Sequence, residues 1–388
     1  MKSEWTRVPL SRVAEVQTGP FGSQLHNKDY VTEGTPIVTV EHLGSRSFTT
    51  QNLPCVSEED RSRLSKYSLN TGDIVFSRVG SVDRCSYVNE ANAGWLFSGR
   101  CLRVRSTNIH PEFLYYFFCQ EQVKEYVKSI AVGATMPSIN TKLLNDVEVI
   151  LPPLAIQRKI ASILSALDEK IETNNAICRN LEEQTMSLYK SWFVDFEPFQ
   201  NQDFINTAIG IIPSDWTVGK LGSIANIVTG KRPKRKTADK NEHDNVPILG
   251  ASGIMGYTNE SMYRSKILVI GRVGTLGVVQ RVEKDCWPSD NALVIQSPYY
   301  EYVKQVLVRF DYLSINRGST QPLITQTDIK NICVIIPPQH ILKQFEYRVG
   351  KCMNLYSLLL DETKKLEEMR EALLPKLMSG ELTVKEIN

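Results

Sequence analysis

The densest run of cationic side chains lies in the second half of the chain and consists of Lys231, Arg232, Lys234, Arg235 and Lys236. It directly follows a Thr-Gly pair and contains a proline, a composition that predicts a surface loop. Ammonium and guanidinium groups in such a loop bind phosphate oxygens, which supplies affinity for nucleic acid without reading its sequence. The alternative interpretation is a solvated run of surface charge.

A mostly polar loop, from Gly19 to Lys28, occupies the corresponding place in the first half of the chain. Its candidate DNA-contacting side chains are Gln24, His26, Asn27 and Lys28. Gln and Asn side chains pair with adenine in the major groove of DNA, so this loop suits direct reading of base edges. A plain turn built on Gly19-Pro20 explains the same composition equally well.

An arginine followed by Val-Gly and a hydroxyl residue occurs twice, as Arg78 to Ser81 and as Arg272 to Thr275, each time after an apolar run. This motif can place a cation and a small polar group against DNA, and a tight turn that needs glycine accounts for it equally well. Polar loops elsewhere supply further candidates of the same kind, namely Thr135 in the first half and Arg317 and Thr320 in the second.

None of the catalytic motifs sought occurs in the sequence. The two Pro-Pro pairs follow Leu151 and Ile336, so neither forms the Asn/Asp-Pro-Pro-Tyr/Phe site with which amino-methyltransferases hold a flipped base. Neither the phosphate loop that binds ATP nor the zinc-deaminase motif occurs. The eight cysteines lack metal-ligand spacing and are expected to be reduced. The chain is therefore predicted to bind rather than catalyse, without a metal site.

The candidate loops recur because the chain is two copies of one module. Residues Trp5 to Gly19 align with Trp216 to Gly230 without a gap, and residues Pro137 to Pro153 align with Pro322 to Pro338. Short β-prone runs bounded by Gly, Asn, Ser and Pro predict a mixed α/β (α+β) globular domain in each copy.

After each Pro-Pro pair the pattern becomes helical. Residues 160–188 and 349–377 carry apolar seams at alternating steps of three and four, as in a coiled coil. The charged group from Asp168 to Lys170 is assigned to the solvated surface of the first helix. The second helix can bury its seam on the first only by running back antiparallel, which gives a pseudo-two-fold repeat. In the alternative, each helix packs on its own domain.

Composition limits the class of protein. The 388 residues suffice for two or three domains, and 42% hydrophobic and 23% charged residues are typical of a globular protein. A net charge of +2 gives no overall support to nucleic-acid binding, so any basic surface must be local. No apolar run has the length of a membrane span or of a signal peptide, which predicts a cytoplasmic location.

The sequence strongly resembles the specificity subunits of type I restriction-modification systems, nearly from end to end. Both halves open with a Trp-x4-Leu-x2-Val/Ile-Ala pattern followed by Thr-Gly. The other matching segments are Ile150 to Ile160, Ser191 to Pro198, Gly210 to Trp216 and Leu374 to Leu382.

The resemblance implies two target-recognition domains that each read one half of a bipartite, asymmetric DNA site, and two helices that hold the modification subunits. Those subunits carry S-adenosylmethionine and methylate adenine, and a further subunit translocates and cuts DNA. S-adenosylmethionine, ATP and Mg²⁺ are thus expected on partners and none on this chain. The residues assigned to subunit docking are Gln157, Leu167, Leu181, Leu359, Leu366 and Leu373.

The predicted organisation is a target-recognition domain at 1–153, a central helix at 154–196, a linker and second target-recognition domain at 197–337, and a C-terminal helix at 338–388. The predicted function is non-catalytic, sequence-specific binding of double-stranded DNA that positions methyltransferase and restriction subunits. Two alternatives stay open: a stand-alone DNA-modifying or DNA-cleaving enzyme, and a coiled-coil scaffold that does not bind DNA.

Overall fold

The computed structural model describes residues 5–318 and 320–383, with the side chains of Ser23 and Asn27 outside that description. The chain divides into two compact units. The first unit comprises residues 1–175 and 361–388, and the second comprises residues 176–360.

The first unit holds one copy of the repeated module. Its strands are β1 (Thr6–Pro9), β2 (Ala14–Thr18), β3 (Tyr30–Val31), β4 (Thr35–Val38), β5 (Cys55–Val56), β6 (Ile74–Ser77), β7 (Cys85–Tyr87), β8 (Leu96–Phe97), β9 (Cys101–Ser106) and β10 (Glu148–Leu151). Its helices are α1 (Glu58–Arg63), α2 (Pro111–Cys119), α3 (Glu121–Ile130), α4 (Thr141–Asn145), the first part of α5 (Leu154–Phe193) and the end of α8 (Gln339–Met378).

The second unit holds the other copy. Its strands are β11 (Phe204–Thr207), β12 (Gly210–Pro213), β13 (Thr217–Lys220), β14 (Asn226–Thr229), β15 (Val246–Leu249), β16 (Ile254–Thr258), β17 (Ile267–Gly271), β18 (Val279–Val282), β19 (Trp287–Pro288), β20 (Ala292–Gln296) and β21 (Cys333–Ile336). Its helices are α6 (Tyr300–Arg309), α7 (Gln326–Lys330), the end of α5 and the first part of α8 (Gln339–Met378).

The two copies share most of their strand pairings. Strands β2-β9-β6-β7 form an antiparallel sheet in the first copy, and β14-β20-β17-β18 form its counterpart in the second. The edge pairs β1-β10 and β13-β21 also correspond, as do the parallel pairs β4-β8 and β15-β19. Apolar central strands such as β17, which is buried along its whole length, make each sheet one wall of its core. The predicted repeat of two α/β domains is confirmed.

The two long helices run antiparallel within each unit. In the first unit, Asp168 Oδ1 lies 2.7 Å from Arg370 Nη1, and the Asn174 side-chain amide donates to Glu362 Oε2 at 2.8 Å. In the second unit, Thr185 Oγ1 lies 3.5 Å from the sulfur of Met353. Residue numbers fall along α8 as they rise along α5, so the predicted antiparallel pairing is confirmed. The alternative, in which each helix packs on its own domain without the other, is wrong.

The seam predicted for α5 is buried at most positions, with Ile160 and Leu164 at 0% exposure. On α8 the predicted seam includes Cys352, but the structure buries its neighbour Met353 completely and leaves Cys352 half-buried. The assignment of Asp168 to a solvated surface is wrong, because its side chain is buried and accepts a hydrogen bond from the Tyr116 hydroxyl at 2.7 Å.

The linker after α5 docks into the core of the second unit. The ring centres of Phe193 and Phe199 lie 5.8 and 5.0 Å from that of Trp216, which is 2% exposed. Aromatic pairs at these distances add to the free energy of burial. All eight cysteines are free thiols. No helix in the described ranges is both long and apolar enough to cross a membrane.

Candidate nucleic-acid interface

The turn after β6 is the centre of a loop cluster in the first unit. The Arg78 N–H donates to the Arg100 carbonyl at 2.8 Å, and the Arg78 carbonyl accepts from the Ile139 N–H at 2.9 Å. The Gly80 N–H donates to the Pro137 carbonyl at 2.8 Å, and Gly80 has a φ of 81°, which favours glycine. Backbone hydrogen bonds therefore hold the turn between two other loops.

The loop after β2 joins this cluster. The Gly19 N–H donates to the Cys101 carbonyl at 3.2 Å, and a Cβ atom on Gly19 would lie only 2.1 Å from the Ser98 oxygen, so the close approach needs glycine. The Arg78 guanidinium lies 4.5 Å from the centre of the Phe21 ring and donates to the Gly99 carbonyl at 3.1 Å. Four loops thus meet at one end of the sheet.

The second unit repeats these bonds with different side chains. The Arg272 N–H donates to the Asn291 carbonyl at 2.9 Å, and the Arg272 carbonyl accepts from the Ile324 N–H at 3.0 Å. The Gly274 N–H donates to the Pro322 carbonyl at 3.0 Å. The Gly230 N–H donates to the Ala292 carbonyl at 3.0 Å. The two copies therefore build one framework of loops and vary what it displays.

Most of the candidates predicted from the sequence are exposed. The exposed members in the first unit are His26, Lys28, Ser81 and Thr135. Those in the second unit are Lys231, Arg232, Lys234, Lys236, Thr275 and Thr320. The backbone of Ser81 and Thr135 belongs to the cluster around Arg78, and that of Thr275 and Thr320 to the cluster around Arg272. Hydroxyl and cationic groups on these loops are therefore free to contact a DNA duplex.

Three candidates are held by internal partners instead. The Gln24 side-chain oxygen accepts from the Tyr67 hydroxyl at 2.6 Å and from the Phe21 N–H at 3.3 Å, so it is not available to a base. Arg235 lies 2.9 Å from a carboxylate oxygen of Asp244, whose side chain is fully buried. Arg317 is ion-paired with Asp328. DNA would therefore have to compete with an internal partner for each of these three side chains, and their assignment to direct DNA contact stays a prediction. The side chain of Asn27 lies outside the described residues.

Arg78 and Arg272 carry charges that no carboxylate neutralises within residues 5–318 and 320–383. Each side chain is half-buried, and the Nε atom of each is buried without a hydrogen-bond acceptor. A guanidinium held in place beside exposed polar groups, with its charge uncompensated, attracts an anion such as a DNA phosphate.

The structure adds residues to this interface that the sequence did not single out. Arg100 and Asn291 are exposed and hold equivalent places beside the two arginine turns. In the second unit a groove is lined by residues 250–255, Val273 and Asn291. A signal existed for Arg100, which follows a Ser-Gly pair before an apolar strand, but the matching position is not an arginine in the second copy.

The residues assigned to subunit docking are all at least half-buried in the structure. Leu359 is 9% exposed, and Leu167, Leu181, Leu366 and Leu373 are half-buried. Gln157 is 3% exposed, accepts from the His110 N–H at 2.9 Å and donates to the Pro152 carbonyl at 2.7 Å, so its side chain is unavailable to a partner. The exposed apolar residues of the two helices are Leu154, Ile177, Met186, Tyr347, Leu355, Leu358, Leu360 and Met369.

A buried carboxyl group joins α8 to the domain of the second unit. Glu346 accepts from the N–H groups of Glu301 and Tyr302, at 3.1 and 2.9 Å, at the start of α6. Burial raises the pKa of Glu346 to about 7. It caps the N-terminal end of α6. No group of three or more His, Cys, Asp or Glu side chains that could hold a metal ion occurs in the described part of the chain.

Comparisons with known proteins agree with this arrangement. The family described as "Type I restriction modification DNA specificity domain" matches residues 2–183 and 213–346. The MjaIX type I restriction enzyme specificity subunit of Methanocaldococcus jannaschii is 30% identical over 71% of this chain and 70% of its own length. The HindI specificity subunit of Haemophilus influenzae is 23% identical over 84% and 89%. The crystal structure of a type I restriction-modification S subunit from M. genitalium has the same fold, with a TM-score of 0.68, 16% identity and 96% coverage of both chains.

Proposed function

The chain belongs to the family of type I restriction-modification specificity subunits, and from this premise we propose that each of its two loop clusters binds one half of a split DNA site. The observation that carries this proposal is the pair of equivalent, uncompensated arginines, Arg78 and Arg272, each set among exposed polar loops. Arginine at such a position binds either a phosphate or the major-groove edge of guanine.

The two half-sites differ in sequence. The framework of the two clusters is shared, but the side chains on it are not, since the basic run from Lys231 to Lys236 corresponds to a mostly polar loop, Gly19 to Lys28, in the other copy. Two domains of one framework with different contacts read an asymmetric target. The helices α5 and α8 set the number of base pairs between the halves.

Catalysis is left to other subunits. Methyltransferase subunits that carry S-adenosylmethionine bind the exposed apolar residues of the two helices, such as Tyr347, Leu355 and Leu358. ATP and Mg²⁺ belong to a restriction subunit where one is present. The complex acts in the cytoplasm, where its DNA is.

The test is to map adenine methylation in cells that hold the modification subunit with and without this chain. A bipartite motif that appears only with the chain supports the proposal. An identical motif in both cells contradicts it, because the chain would then not specify the target.

Incubating the purified chain alone with DNA, Mg²⁺ and S-adenosylmethionine is expected to give no product, whereas a stand-alone enzyme would give one.

A further inference from the structure

Three loop positions flank the arginine turn in each copy, and their side chains differ in kind between the copies. The first follows the glycine after β2 or β14 by two residues and is Phe21 in one copy and Arg232 in the other. The second is Val132 in the first copy and Arg317 in the second. The third is Met136 in the first copy and Gln321 in the second.

Backbone contacts establish that these positions are equivalent. The Val132 N–H donates to the Ser138 carbonyl at 2.9 Å, and the Arg317 N–H donates to the Leu323 carbonyl at 2.9 Å. The glycine that follows each of these residues packs on the carbonyl of the third position, so that a Cβ atom would lie 2.7 Å from the Met136 oxygen in one copy and 1.8 Å from the Gln321 oxygen in the other. The loops therefore share one fold and differ in what they present.

The side chains at all three positions of the first copy are apolar and exposed to solvent. Phe21 is 46% exposed, and Val132 and Met136 are each 63% exposed. Three exposed apolar side chains on a surface that also carries Arg78 and Arg100 form a contact region rather than part of the core. At the same positions the second copy exposes guanidinium and amide groups, on Arg232, Arg317 and Gln321.

Phe21 is already held in one place. Its ring stacks on the Arg78 guanidinium at 4.5 Å, and that guanidinium is tied to the Gly99 carbonyl. A ring fixed in this way loses little conformational entropy when it meets a ligand. Among the four bases, thymine alone presents a methyl group in the major groove, and apolar side chains recognise it there.

We propose that the first copy reads its half-site in part through thymine methyl groups, which Phe21, Val132 and Met136 contact, whereas the second copy reads its half-site by hydrogen bonds and charge. This inference rests on the proposed function, because it assumes that both loop clusters face DNA. It names the chemistry that distinguishes the two halves of the target.

The test replaces each thymine of the methylated motif in turn by deoxyuridine, which removes only the methyl group, and measures binding by the assembled methyltransferase. At least one replacement in one half-site is expected to weaken binding by about fourfold, the effect of losing one buried methyl group. Replacements in the other half-site are expected to leave the dissociation constant unchanged.

Two variants test whether the half-site that is sensitive to deoxyuridine is the one bound by the first copy. Met136→Ser changes an exposed side chain and is not expected to disturb folding, and in this variant the penalty for deoxyuridine should shrink. Phe21→Leu is the second variant. Gln321→Ala, at the equivalent position of the other copy, is the matched control and should keep the full penalty.

Each outcome decides the question. Three results would overturn the inference while the chain still selects its DNA. In the first, no deoxyuridine replacement changes the dissociation constant. In the second, the half-site bound by the first copy contains no thymine, and in the third the loss of binding caused by deoxyuridine is unchanged in both Met136→Ser and Phe21→Leu. Failure of the assembled enzyme to bind any DNA sequence preferentially would instead overturn the proposed function.

Discussion

At the scale of single residues, the state of each guanidinium decides what it can contribute to DNA binding. Arg235 is paired with Asp244, and Arg317 is paired with Asp328. Each of these arginines therefore contributes less free energy to phosphate binding than an unpaired cation would. Lys231, Arg232 and Lys234 are exposed and make no ion pair in the described parts of the chain. The electrostatic contribution of the basic run therefore comes mainly from the lysines and from Arg232.

Replacing Lys231, Arg232 and Lys234 together by glutamine should weaken DNA binding by the assembled methyltransferase and flatten its salt dependence. Each lost phosphate contact lowers the slope of log K against log salt by about 0.9, so a decrease of about 2 to 3 is expected. Fluorescence anisotropy between about 50 and 200 mM salt measures it. The Lys364→Gln, Lys365→Gln variant, on exposed residues of α8, is the control. An unchanged slope in the loop variant would mean that the run is only solvated charge.

Glu346 gives the second unit a predictable response to pH. Its pKa is raised from an ordinary value of 4.5 to about 7, chiefly by burial, so between these values the folded state holds a proton that the unfolded state has lost. Stability should therefore fall as pH rises from about 5 to 7, by at most about 3 kcal/mol, and then level off.

Glu346→Gln is the matched variant, because it does not titrate and its amide oxygen can still accept from the Tyr302 N–H, although the bond from the Glu301 N–H to the second carboxylate oxygen is lost. Its melting temperature should lack this decline between about pH 5 and 7. Parallel pH profiles for the two proteins would contradict the assignment. Glu301 and Arg281 shift the same pKa in opposite directions, so they stay unchanged in both proteins.

At the scale of elements, the contacts between the two long helices change in kind along their length. In the first unit they include buried polar groups, with Asp168 bound to both Arg370 and Tyr116 and with Asn174 bound to Glu362. In the second unit Val349 and Met353 are fully buried in an apolar core. Buried polar pairs tolerate only one register, so the polar part of the seam fixes the alignment of the helices.

Arg370→Met should destabilise the first unit by about 3 kcal/mol, because it leaves the buried Asp168 carboxylate without its cation. The double variant Asp168→Asn, Arg370→Met should regain most of that free energy of unfolding, since a neutral amide still accepts from the Tyr116 hydroxyl. Urea unfolding of the four proteins in this cycle gives the coupling energy. Additive effects of the two substitutions would show that the pair does not act as a unit.

The repeat, the helices and their antiparallel pairing could be predicted from the sequence because their signals are periodic or duplicated. The seam from Ile160 to Leu188 and the two copies of the Arg-Val-Gly motif need no knowledge of distant contacts. Even so, the sequence predicts Cys352 in the seam of α8, whereas the structure buries its neighbour Met353. Which residue of a helix face is buried depends on what packs against it.

The state of individual polar side chains could not be predicted, because it depends on partners that folding brings together. Gln24 meets Tyr67, and Asp168 meets Arg370, which lies 202 residues away along the chain. A polar residue on a loop or helix therefore looks exposed in the sequence until its partner is known. The equivalence of Phe21, Val132 and Met136 with polar residues of the second copy also became clear only from the backbone contacts.

At the scale of the whole molecule, the formal charge of +2 hides a local distribution. Under the proposed function, the chain attracts DNA through two loop clusters rather than through its overall charge, so its affinity should depend on a few side chains. The helices α5 and α8 contain 40 residues each, about 60 Å at 1.5 Å per residue, and both take part in both units. Under the proposed function, the length of these two helices sets the spacer of the split site.

The most direct measurement inserts one heptad after Asn175 in α5 and one before Asp361 in α8, where the two units divide, and maps adenine methylation by sequencing. Each insertion adds about 10 Å, or roughly three base pairs at 3.4 Å each. The control, a heptad in α5 alone, should put the polar pairs such as Asn174–Glu362 out of register with contacts beyond the insertion such as Thr185–Met353, and destabilise the protein. The account predicts that the double insertion keeps both half-sites and lengthens the spacer by about three base pairs. A variant that methylates the parental motif with its original spacer would contradict it.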